Sequence, residues 1–267
     1  MSAHEQYTVT MLGCGKMGGA ILKAWLDNNL VSAVTAIDPN PLDISDQRLT
    51  HKTEINGPID TDFLILAVKP QILNDAAQSL KGNISDKTVI ASIAAGKTIQ
   101  DLEKLFPQDQ AIIRVMPNTP AAIGKGANVA VANKVTSQDQ KDALTRLLKA
   151  TGTAHWIDDE SLMDAVTALS GSGPAYIFYL IEMLAHSGEM LGLDKTMAMQ
   201  LARQTVIGSA ALAREEEDTP AKTLRENVTS PKGTTEAALK VLMDGRAQEI
   251  FDEALSAAKK RGEELSG

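Results

Sequence analysis

A glycine-rich turn near the N-terminus is the first place where residue types and spacing could do chemistry. Gly13-Cys14-Gly15-Lys16-Met17-Gly18 follows a short apolar run, Tyr7 to Leu12, and opens a helical pattern. In this context Gly13 allows a sharp turn, Gly15 lets the backbone approach a pyrophosphate, and Gly18 lets the helix pack closely on the strand. The start of the helix also favours phosphate groups. The spacing predicts a dinucleotide-binding turn, and a glycine turn without a ligand is the plainer alternative.

An acidic residue, Asp38, lies twenty residues past Gly18, at the end of a second apolar run, Val34 to Ile37. A carboxylate at this place can accept hydrogen bonds from the ribose hydroxyls of adenosine, whereas a 2′-phosphate would meet like-charge repulsion. No arginine follows it directly. The pattern therefore favours NADH over NADPH, and the alternative is that Asp38 merely opens an Asp-Pro-Asn-Pro turn.

Three further loops follow predicted strands, and in an open α/β sheet ligands bind beyond the carboxyl ends of the strands. Small residues at Ala94 and Ala95 would leave room for a flat nicotinamide ring. Lys69 precedes a proline, and we assign it no role as an acid. Ordinary strand-to-helix turns explain each loop, taken alone, about equally well. The loops are Lys69-Pro70-Gln71, Ala94-Ala95-Gly96 and Pro117-Asn118-Thr119-Pro120.

A polar loop rich in hydroxyl groups, Asn227 to Glu236, runs into a helical pattern in the second half of the chain. The free N–H groups of Gly233, Thr234 and Thr235 could bind a carboxylate, as the start of a helix binds other anions. Ser230 adds another hydroxyl. The alternative is a capped helix start that serves structure only.

The elements that must position these residues change character along the chain. Until about residue 155, nearly continuous apolar runs typical of buried strands alternate with helical stretches, which predicts a doubly wound parallel sheet. After Asp158 only helical patterns follow, so we predict two domains, 1–158 and 159–267. The predicted strands include Phe63–Val68, Thr88–Ile93, Ala111–Met116 and Ala127–Ala132. The predicted C-terminal helices are Glu160–Leu169, Pro174–Leu191, Lys195–Arg214, Pro220–Asn227, Thr234–Met243 and Arg246–Glu264.

The ends of these helices carry recognisable signals. The Ser170–Pro174 stretch is expected to break one helix and start the next, Asp194 to cap the helix from Lys195, and Thr219 to cap the helix that begins with Pro220. The helix from Pro174 is apolar on most of its circumference, which a small domain can hardly cover alone. The simplest explanation is an interface between subunits.

Composition excludes several classes of function. A net charge of −8 over 267 residues, without a basic stripe, argues against nucleic acid as a partner. The lone cysteine, Cys14, fits a reducing compartment, and no signal peptide or membrane-spanning stretch is recognised, with the segment Met1 to Gln6 short and polar. We therefore expect a cytoplasmic protein without a membrane partner. The histidines are scattered, and no Cys/His cluster offers a metal site.

Five segments, taken in order, resemble the pyrroline-5-carboxylate reductase family over essentially the full length. The resemblance implies an N-terminal Rossmann-type domain, an all-helical C-terminal dimerisation domain, and dimers that often assemble into larger rings. It also implies hydride transfer from NADH or NADPH to the C=N bond of a cyclic imino acid, 1-pyrroline-5-carboxylate, giving L-proline in the last step of proline biosynthesis. The segments are Gly13–Gly18, Ala67–Gln71, Met116–Pro120, Leu169–Tyr176 and Val228–Thr235.

On that pattern Thr235 is the catalytic residue that hydrogen-bonds the ring nitrogen of the imine. The substrate carboxylate would be held by Ser230, Gly233, Thr234 and Thr235. The cofactor would contact Gly13, Gly15, Lys16, Met17, Gly18 and Asp38, with Ala67, Val68, Lys69, Pro70, Ala94 and Ala95 on its nicotinamide side. Two residues depart from the pattern: Asp38 puts an NADPH preference in doubt, and Lys232 stands where members usually have glycine.

Two other functions remain open at this point. A β-hydroxyacid-type dehydrogenase shares a dinucleotide-binding domain followed by helices, but it would need a catalytic lysine in the helical half. The candidates there, Lys195 and Lys222, lie in polar contexts at helix starts. A non-catalytic dinucleotide sensor would lack the hydroxyl-rich loop, which this chain retains.

Overall fold

The computed structural model describes residues 6–55, 57–80 and 82–266. The predicted polar stretch Met1 to Gln6 lies outside these residues except for Gln6. Eight strands form one sheet. They are β1 (Tyr7–Leu12), β2 (Val31–Ile37), β3 (Leu49–Lys52), β4 (Phe63–Leu66), β5 (Val89–Ser92), β6 (Ile112–Met116), β7 (Gly126–Ala132) and β8 (Gly152–Trp156).

The strand order, β3-β2-β1-β4-β5-β6-β7-β8, reverses direction at β1. The chain first moves outward through β2 and β3 and then returns to pair β4 with the other side of β1. In sheets of this kind the crevice at the reversal is where ligands bind. The glycine-rich turn directly follows β1, so the fold places it at this point.

One pairing differs from the predicted parallel sheet, because β7 runs antiparallel to β6. The connection between them, 117–125, contains only a 3₁₀ turn, Thr119–Ile123. A parallel crossover needs roughly a dozen residues or more, so a connection this short returns the chain in the opposite direction. The other strand pairs are parallel.

Helices cover both faces of the sheet, as a doubly wound fold requires. On one face Trp25 and Leu147 pack in a buried cluster with β1, and the Trp25 indole donates a hydrogen bond to the Leu147 carbonyl at 2.8 Å. On the other face Leu73 and Leu102 are buried with Leu64. The helices of this part are α1 (Lys16–Asp27), α2 (Pro70–Leu80), α3 (Ile99–Glu103), α4 (Gln138–Lys149) and α5 (Met163–Val166).

The chain divides into two compact units. The first contains the described residues through Gly171 together with those from Ala258 onward, and the second is Ser172–Ala257. The predicted boundary between residues 158 and 159 falls earlier and stays a prediction. The remaining helices are α6 (Gly173–Met190), α7 (Lys195–Glu215), α8 (Ala221–Asn227), α9 (Thr234–Leu242) and α10 (Arg246–Ser266).

The helix ends partly match the sequence signals. Asp194 caps α7 as predicted, because its side chain accepts hydrogen bonds from the N–H groups of Thr196 and Met197. The predicted cap by Thr219 is wrong: Pro220 itself occupies the N-cap position, and no side-chain capping bond is found there among the described residues. Proline fixes its own φ in the helical range but leaves the start uncapped.

The segment predicted as one helix, Glu160–Leu169, is instead a succession of different helical turns. A 3₁₀ turn, Glu160–Leu162, leads into α5 and then into a π-helical turn, Thr167–Gly171. Ser172, within the predicted break, keeps helical backbone angles and marks a bend. Short glycine–serine stretches kink a helix without ending it when neighbouring turns stay bonded. No helix in the described part of the chain is long and apolar enough to cross a membrane.

Candidate active site

The glycines of the first turn occupy the positions that a close approach of three chain segments requires. Gly13 has a φ of +89°, and a Cβ there would lie 2.8 Å from the Ala67 carbonyl oxygen. A Cβ on Gly18 would lie 2.5 Å from the Gly13 oxygen and 3.1 Å from the Ala67 Cβ. The turn, helix α1 and the chain after β4 can therefore lie in contact only because neither Gly13 nor Gly18 carries a side chain.

Gly15 differs from these two glycines because its surroundings are open. Its φ is −61°, which any residue adopts, and no described atom lies within 4 Å of a Cβ built on it. Packing within the protein thus gives no reason for glycine here. Open space beside a glycine backbone is what a ligand that approaches the main chain needs.

The start of α1 lies at the same place. Gly15 is its N-cap residue, and no described side chain caps the helix. The first N–H groups of a helix, here those of Lys16, Met17 and Gly18, have no partner within the helix. Unpartnered N–H groups at the start of a helix favour anions such as phosphates.

A groove of about 780 Å³ opens beside this turn at the carboxyl ends of β1, β2 and β4. The structure brings six of the predicted cofactor residues into its wall, namely Gly13, Gly15, Asp38, Ala67, Val68 and Lys69. Pro70 begins α2 next to Lys69. Ala94, buried, and Ala95, exposed, follow β5, which pairs in parallel with β4, so their loop lies at the same edge of the sheet.

Sequence reasoning missed part of this wall. Thr53, Glu54 and Ile55 line the groove after β3, which is a short polar strand without the apolar run that signals a strand. Ile72, Ala76 and Ser79 line it from α2. Their spacing of four and three residues places them on one face of a helix, and that periodicity could have identified them.

Asp38 takes part in a hydrogen-bond network of the protein itself. Its Oδ2 accepts a hydrogen bond from the Cys14 N–H at 2.8 Å, and its Oδ1 accepts from the backbone and side-chain nitrogens of Asn40 at 2.9 and 3.1 Å. Burial alone raises the pKa of Asp38, but these bonds and the nearby His51 outweigh it and lower the pKa below its usual value. Asp38 is therefore ionised at neutral pH. Asp38 can both stabilise the turn and accept a hydrogen bond from a ligand, because Oδ2 keeps a free lone pair.

Cys14 lies between the first two glycines of the turn. Burial, and secondly the negative charge of Asp38, raise the pKa of its thiol to about 12. A thiol that stays protonated at physiological pH is a poor nucleophile. The expectation that Cys14 has no catalytic role agrees with this environment.

The hydroxyl-rich loop forms a second candidate subsite, in the second unit. Gly233 is the N-cap of α9, and its N–H donates to the Ser230 carbonyl at 3.0 Å. The prediction that this N–H is free for a carboxylate is therefore wrong, because the turn before the helix uses it. Within the described residues no side chain caps this helix, which leaves the N–H groups of Thr234 and Thr235 available to a ligand. Thr235 is half-buried, whereas Ser230 and Thr234 are exposed.

Lys232 adopts the left-handed conformation, with a φ of +61°. Its N–H donates to Glu236 Oε2 at 2.7 Å, a contact that closes the loop onto the first turn of α9. The left-handed region is costly for residues with a Cβ, which explains why glycine suits this position.

We expect Lys232→Gly to raise the free energy of unfolding by about 1 kcal/mol, because it relieves this conformation. Urea denaturation measures the change. Lys232→Ala removes the same charge but keeps a Cβ, and it serves as the matched control. If Lys232→Gly had no larger free energy of unfolding than Lys232→Ala, the left-handed conformation would not be a source of strain.

Other kinds of site find little support in the structure. Among the described residues no group of three or more His, Cys, Asp or Glu could hold a metal ion. Lys195 and Lys222 are exposed, and Lys222 lies 3.7 Å from Glu226 on its own helix. Neither has the buried setting that a catalytic lysine of a hydroxyacid dehydrogenase would need.

The first unit has the fold of the dinucleotide-binding class, because a glycine turn with an uncapped helix start lies where the strand order reverses. The family model described as NADP oxidoreductase, coenzyme F420-dependent, matches residues 8–96. The family model described as pyrroline-5-carboxylate reductase dimerisation matches residues 160–265.

Individual relatives extend the match to the whole chain. The pyrroline-5-carboxylate reductase of Pseudomonas aeruginosa is 38% identical over 264 residues, which cover 97% of this chain and 96% of that protein. The structure of a pyrroline-5-carboxylate reductase from Coxiella burnetii has a TM-score of 0.90 at 34% identity and covers 98% of this chain and 100% of that one. The Plasmodium falciparum enzyme with NADP bound has a TM-score of 0.84 at 26% identity, with coverage of 99% and 100%. The chain belongs to the pyrroline-5-carboxylate reductase family, which confirms the resemblance found in the sequence.

Proposed function

We propose that this chain transfers a hydride from a nicotinamide dinucleotide to the C=N bond of 1-pyrroline-5-carboxylate and so forms L-proline. The observation that carries this proposal is the start of α9, where the half-buried hydroxyl of Thr235 adjoins N–H groups that no described side chain caps. A cyclic imino acid offers the two groups that such an arrangement binds. Its carboxylate suits the N–H groups, and its ring nitrogen suits the hydroxyl.

The carboxylate subsite consists of Ser230, Thr234 and Thr235, and Gly233 shapes it as the N-cap residue, with its own N–H bonded to the Ser230 carbonyl. The dipole of α9 favours a negative charge at this end, and the Ser230 and Thr234 hydroxyls are exposed and able to donate. Glu236, a carboxylate in the same turn, is engaged by the Lys232 N–H.

The residues of the first unit fit a dinucleotide. Gly15 leaves the main chain accessible, and Lys16, Met17 and Gly18 present N–H groups to a pyrophosphate. Ala67, Val68, Lys69, Pro70, Ala94 and Ala95 form the nicotinamide side. When bound, the reduced nicotinamide supplies the hydride.

The role of the protein in the reaction is mainly alignment. A protonated C=N bond accepts a hydride readily, so binding the carboxylate at the helix start while Thr235 holds the nitrogen fixes the imine carbon in position. No strongly acidic side chain is needed if the imine arrives protonated. Lys69, which is exposed, needs to contribute only its backbone.

The decisive measurement is the initial rate of NADH and NADPH oxidation by the purified protein with pyrroline-5-carboxylate, followed by absorbance. Oxidation that depends on the imino acid supports the reductase. If folded protein oxidises neither cofactor, the proposal fails in favour of another substrate or of the sensor.

The cofactor we infer is NADH rather than NADPH. The ionised Asp38 lies in the groove wall with one lone pair of Oδ2 unused, so it can accept a ribose hydroxyl and repel a 2′-phosphate.

We expect Asp38→Asn to raise the ratio of kcat/KM for NADPH to that for NADH by roughly 3- to 10-fold, because the substitution removes the repulsion without changing the shape. Steady-state kinetics with both cofactors measures the ratio. Thr53→Val, in the same wall but without a charge to remove, is the control and should leave the ratio unchanged. A ratio unaffected by Asp38→Asn would remove Asp38 from cofactor selection.

Self-association follows from the dimerisation model that covers the helical part of the chain. The α6 face supports it, because Ile177 and Phe178 are 46% and 59% exposed in the single chain. Contiguous apolar side chains that are exposed on one element mark an interface between proteins. On α6 the others are Tyr179, Leu180, Met183 and Leu184. We infer a dimer or a larger ring of dimers, which sedimentation would distinguish from a monomer. A cytoplasmic location stays a prediction from the composition.

A further inference from the structure

A buried ion pair lies beside the Ala94–Ala95 loop and has no part in the function proposed above. Arg114 lies in β6, in register with Ser92 at the end of β5, and its side chain is 5% exposed. Its Nη1 donates to Glu160 Oε1 at 2.8 Å. Glu160, whose side chain is 27% exposed, begins the 3₁₀ turn that precedes α5. A guanidinium buried this deeply needs its charge partner to stay in place.

The same carboxylate oxygen has a second partner. Glu160 Oε1 also accepts a hydrogen bond from the N–H of Ile99, the first residue of α3, at 2.8 Å. Thr98 and Asp101 form a reciprocal capping box, which serves the N–H groups of these two residues. Glu160 therefore holds an N–H of the helix start that the capping box does not reach.

These contacts tie down both ends of the loop that carries Ala94 and Ala95. At its upstream end the Ile93 N–H donates to the Leu66 carbonyl at 3.0 Å, and the Ala94 N–H donates to Ser92 Oγ at 3.3 Å. At its downstream end Glu160 reaches across from another segment and holds the Ile99 N–H. Ile99 and Leu102 are also buried in the core, and a Cβ on Gly96 would lie 3.1 Å from the Leu265 carbonyl oxygen. Loss of Glu160 therefore removes the hydrogen bond that fixes the helix start, while this packing remains.

We propose that Glu160 is a positioning residue that fixes the Ala94–Ala95 loop against the nicotinamide end of the cofactor, and that Arg114 holds Glu160 in place for this task. The inference rests on the proposed function, because that function assigns Ala94 and Ala95 to the nicotinamide side. Glu160 acts through the backbone of Ile99 and touches neither cofactor nor substrate in this account.

Two double variants isolate the contact to Ile99. Both replace Arg114 with Met, so neither leaves a buried charge without a partner. Arg114→Met with Glu160→Gln keeps an oxygen that can accept from Ile99, whereas Arg114→Met with Glu160→Met has none. The dissociation constants of NADH and of ADP-ribose, which lacks the nicotinamide, are measured by calorimetry on both.

We expect the double variant with Glu160→Met to bind NADH about 10-fold more weakly than the double variant with Glu160→Gln, the usual scale of one lost charge-assisted or buried hydrogen bond. ADP-ribose should bind equally to both within about 2-fold, because the proposed adenosine and pyrophosphate contacts involve Asp38 and the glycine turn, not the Ala94–Ala95 loop. If Glu160 served folding alone, its loss would weaken the binding of NADH and of ADP-ribose to the same extent.

A single variant covers the case in which the double variants do not fold. Glu160→Asp keeps a negative charge for Arg114 but is one methylene shorter, and we expect the same selective loss of NADH binding. The control is Asp46→Asn, which breaks an Arg–carboxylate pair, Arg48–Asp46 at 2.6 Å, beside the N-terminal end of β3. It should leave the NADH to ADP-ribose ratio unchanged.

Equal ratios in all these variants, or a parallel loss of both ligands, would overturn the positioning role while the reductase activity of the unsubstituted chain stands. If the unsubstituted chain binds neither NADH nor NADPH, the proposed function fails first and this inference with it.

Discussion

Replacing Thr235 with Ala should lower kcat with pyrroline-5-carboxylate by about 10-fold or more, which corresponds to a barrier higher by on the order of 1.4 kcal/mol. The hydroxyl is expected to hold the ring nitrogen while the start of α9 holds the carboxylate, so its loss frees the imine to rotate away from the hydride donor. The groove proposed for the cofactor is lined by residues of the first unit, whereas Thr235 belongs to the second. KM for NADH should therefore stay within about 2-fold, and steady-state kinetics separates the two effects.

Thr235→Ser is the matched control because it keeps the hydroxyl and removes only a methyl group. It should retain most of kcat, whereas Thr235→Val, which keeps the shape and removes the hydroxyl, should behave like Thr235→Ala. A Thr235→Ala enzyme with full kcat would remove this residue from the mechanism.

Replacing Gly15 with Ala should weaken dinucleotide binding on the order of 100-fold without unfolding the protein. The φ of −61° suits alanine, and no described atom lies within 4 Å of the added Cβ, so the free energy of unfolding should change by less than about 0.5 kcal/mol. The same Cβ would occupy the space through which a pyrophosphate approaches the backbone. Calorimetric titration with NADH, together with thermal unfolding, measures both quantities.

Gly18→Ala makes the informative comparison, because it lies on the same helix and its Cβ would meet the Gly13 oxygen at 2.5 Å. That contact forces α1 away from the turn, so stability should fall by about 1–3 kcal/mol as well as affinity. If Gly15→Ala bound NADH as tightly as the original chain, the glycine turn would have no ligand, as the plainer reading of the sequence holds.

The first unit can be predicted from its sequence where local signals and tertiary packing agree. The apolar runs of β4 and β5 are buried on both faces and are recognisable as strands, and the glycine spacing locates the turn. The direction of β7 escapes such a prediction because the period of a strand carries no information on its direction. Only the length of the connection from Pro117 to Lys125 indicates the direction of β7.

Other parts cannot be predicted because their signals are weak or contradictory. β3, with the polar residues Thr50, His51 and Lys52, lies at the edge of the sheet and needs few apolar side chains, so no run marks it. The pair of Arg114 and Glu160 joins residues far apart in sequence, and nothing in the local pattern around either predicts the other. The position of the hydroxyl-rich loop before α9 agrees with the sequence pattern, but the role of each hydroxyl stays a prediction.

The bond from the Cys14 N–H to Asp38 has a consequence for protein engineering. The residue that we propose selects the cofactor also holds the turn that we propose binds its pyrophosphate, so the two properties would share one side chain. Asp38 uses both oxygens, and asparagine or serine in its place has only one to offer. A redesign toward NADPH at this position alone therefore trades selectivity against overall affinity. An effective redesign supplies a new acceptor for the Cys14 N–H in the same step.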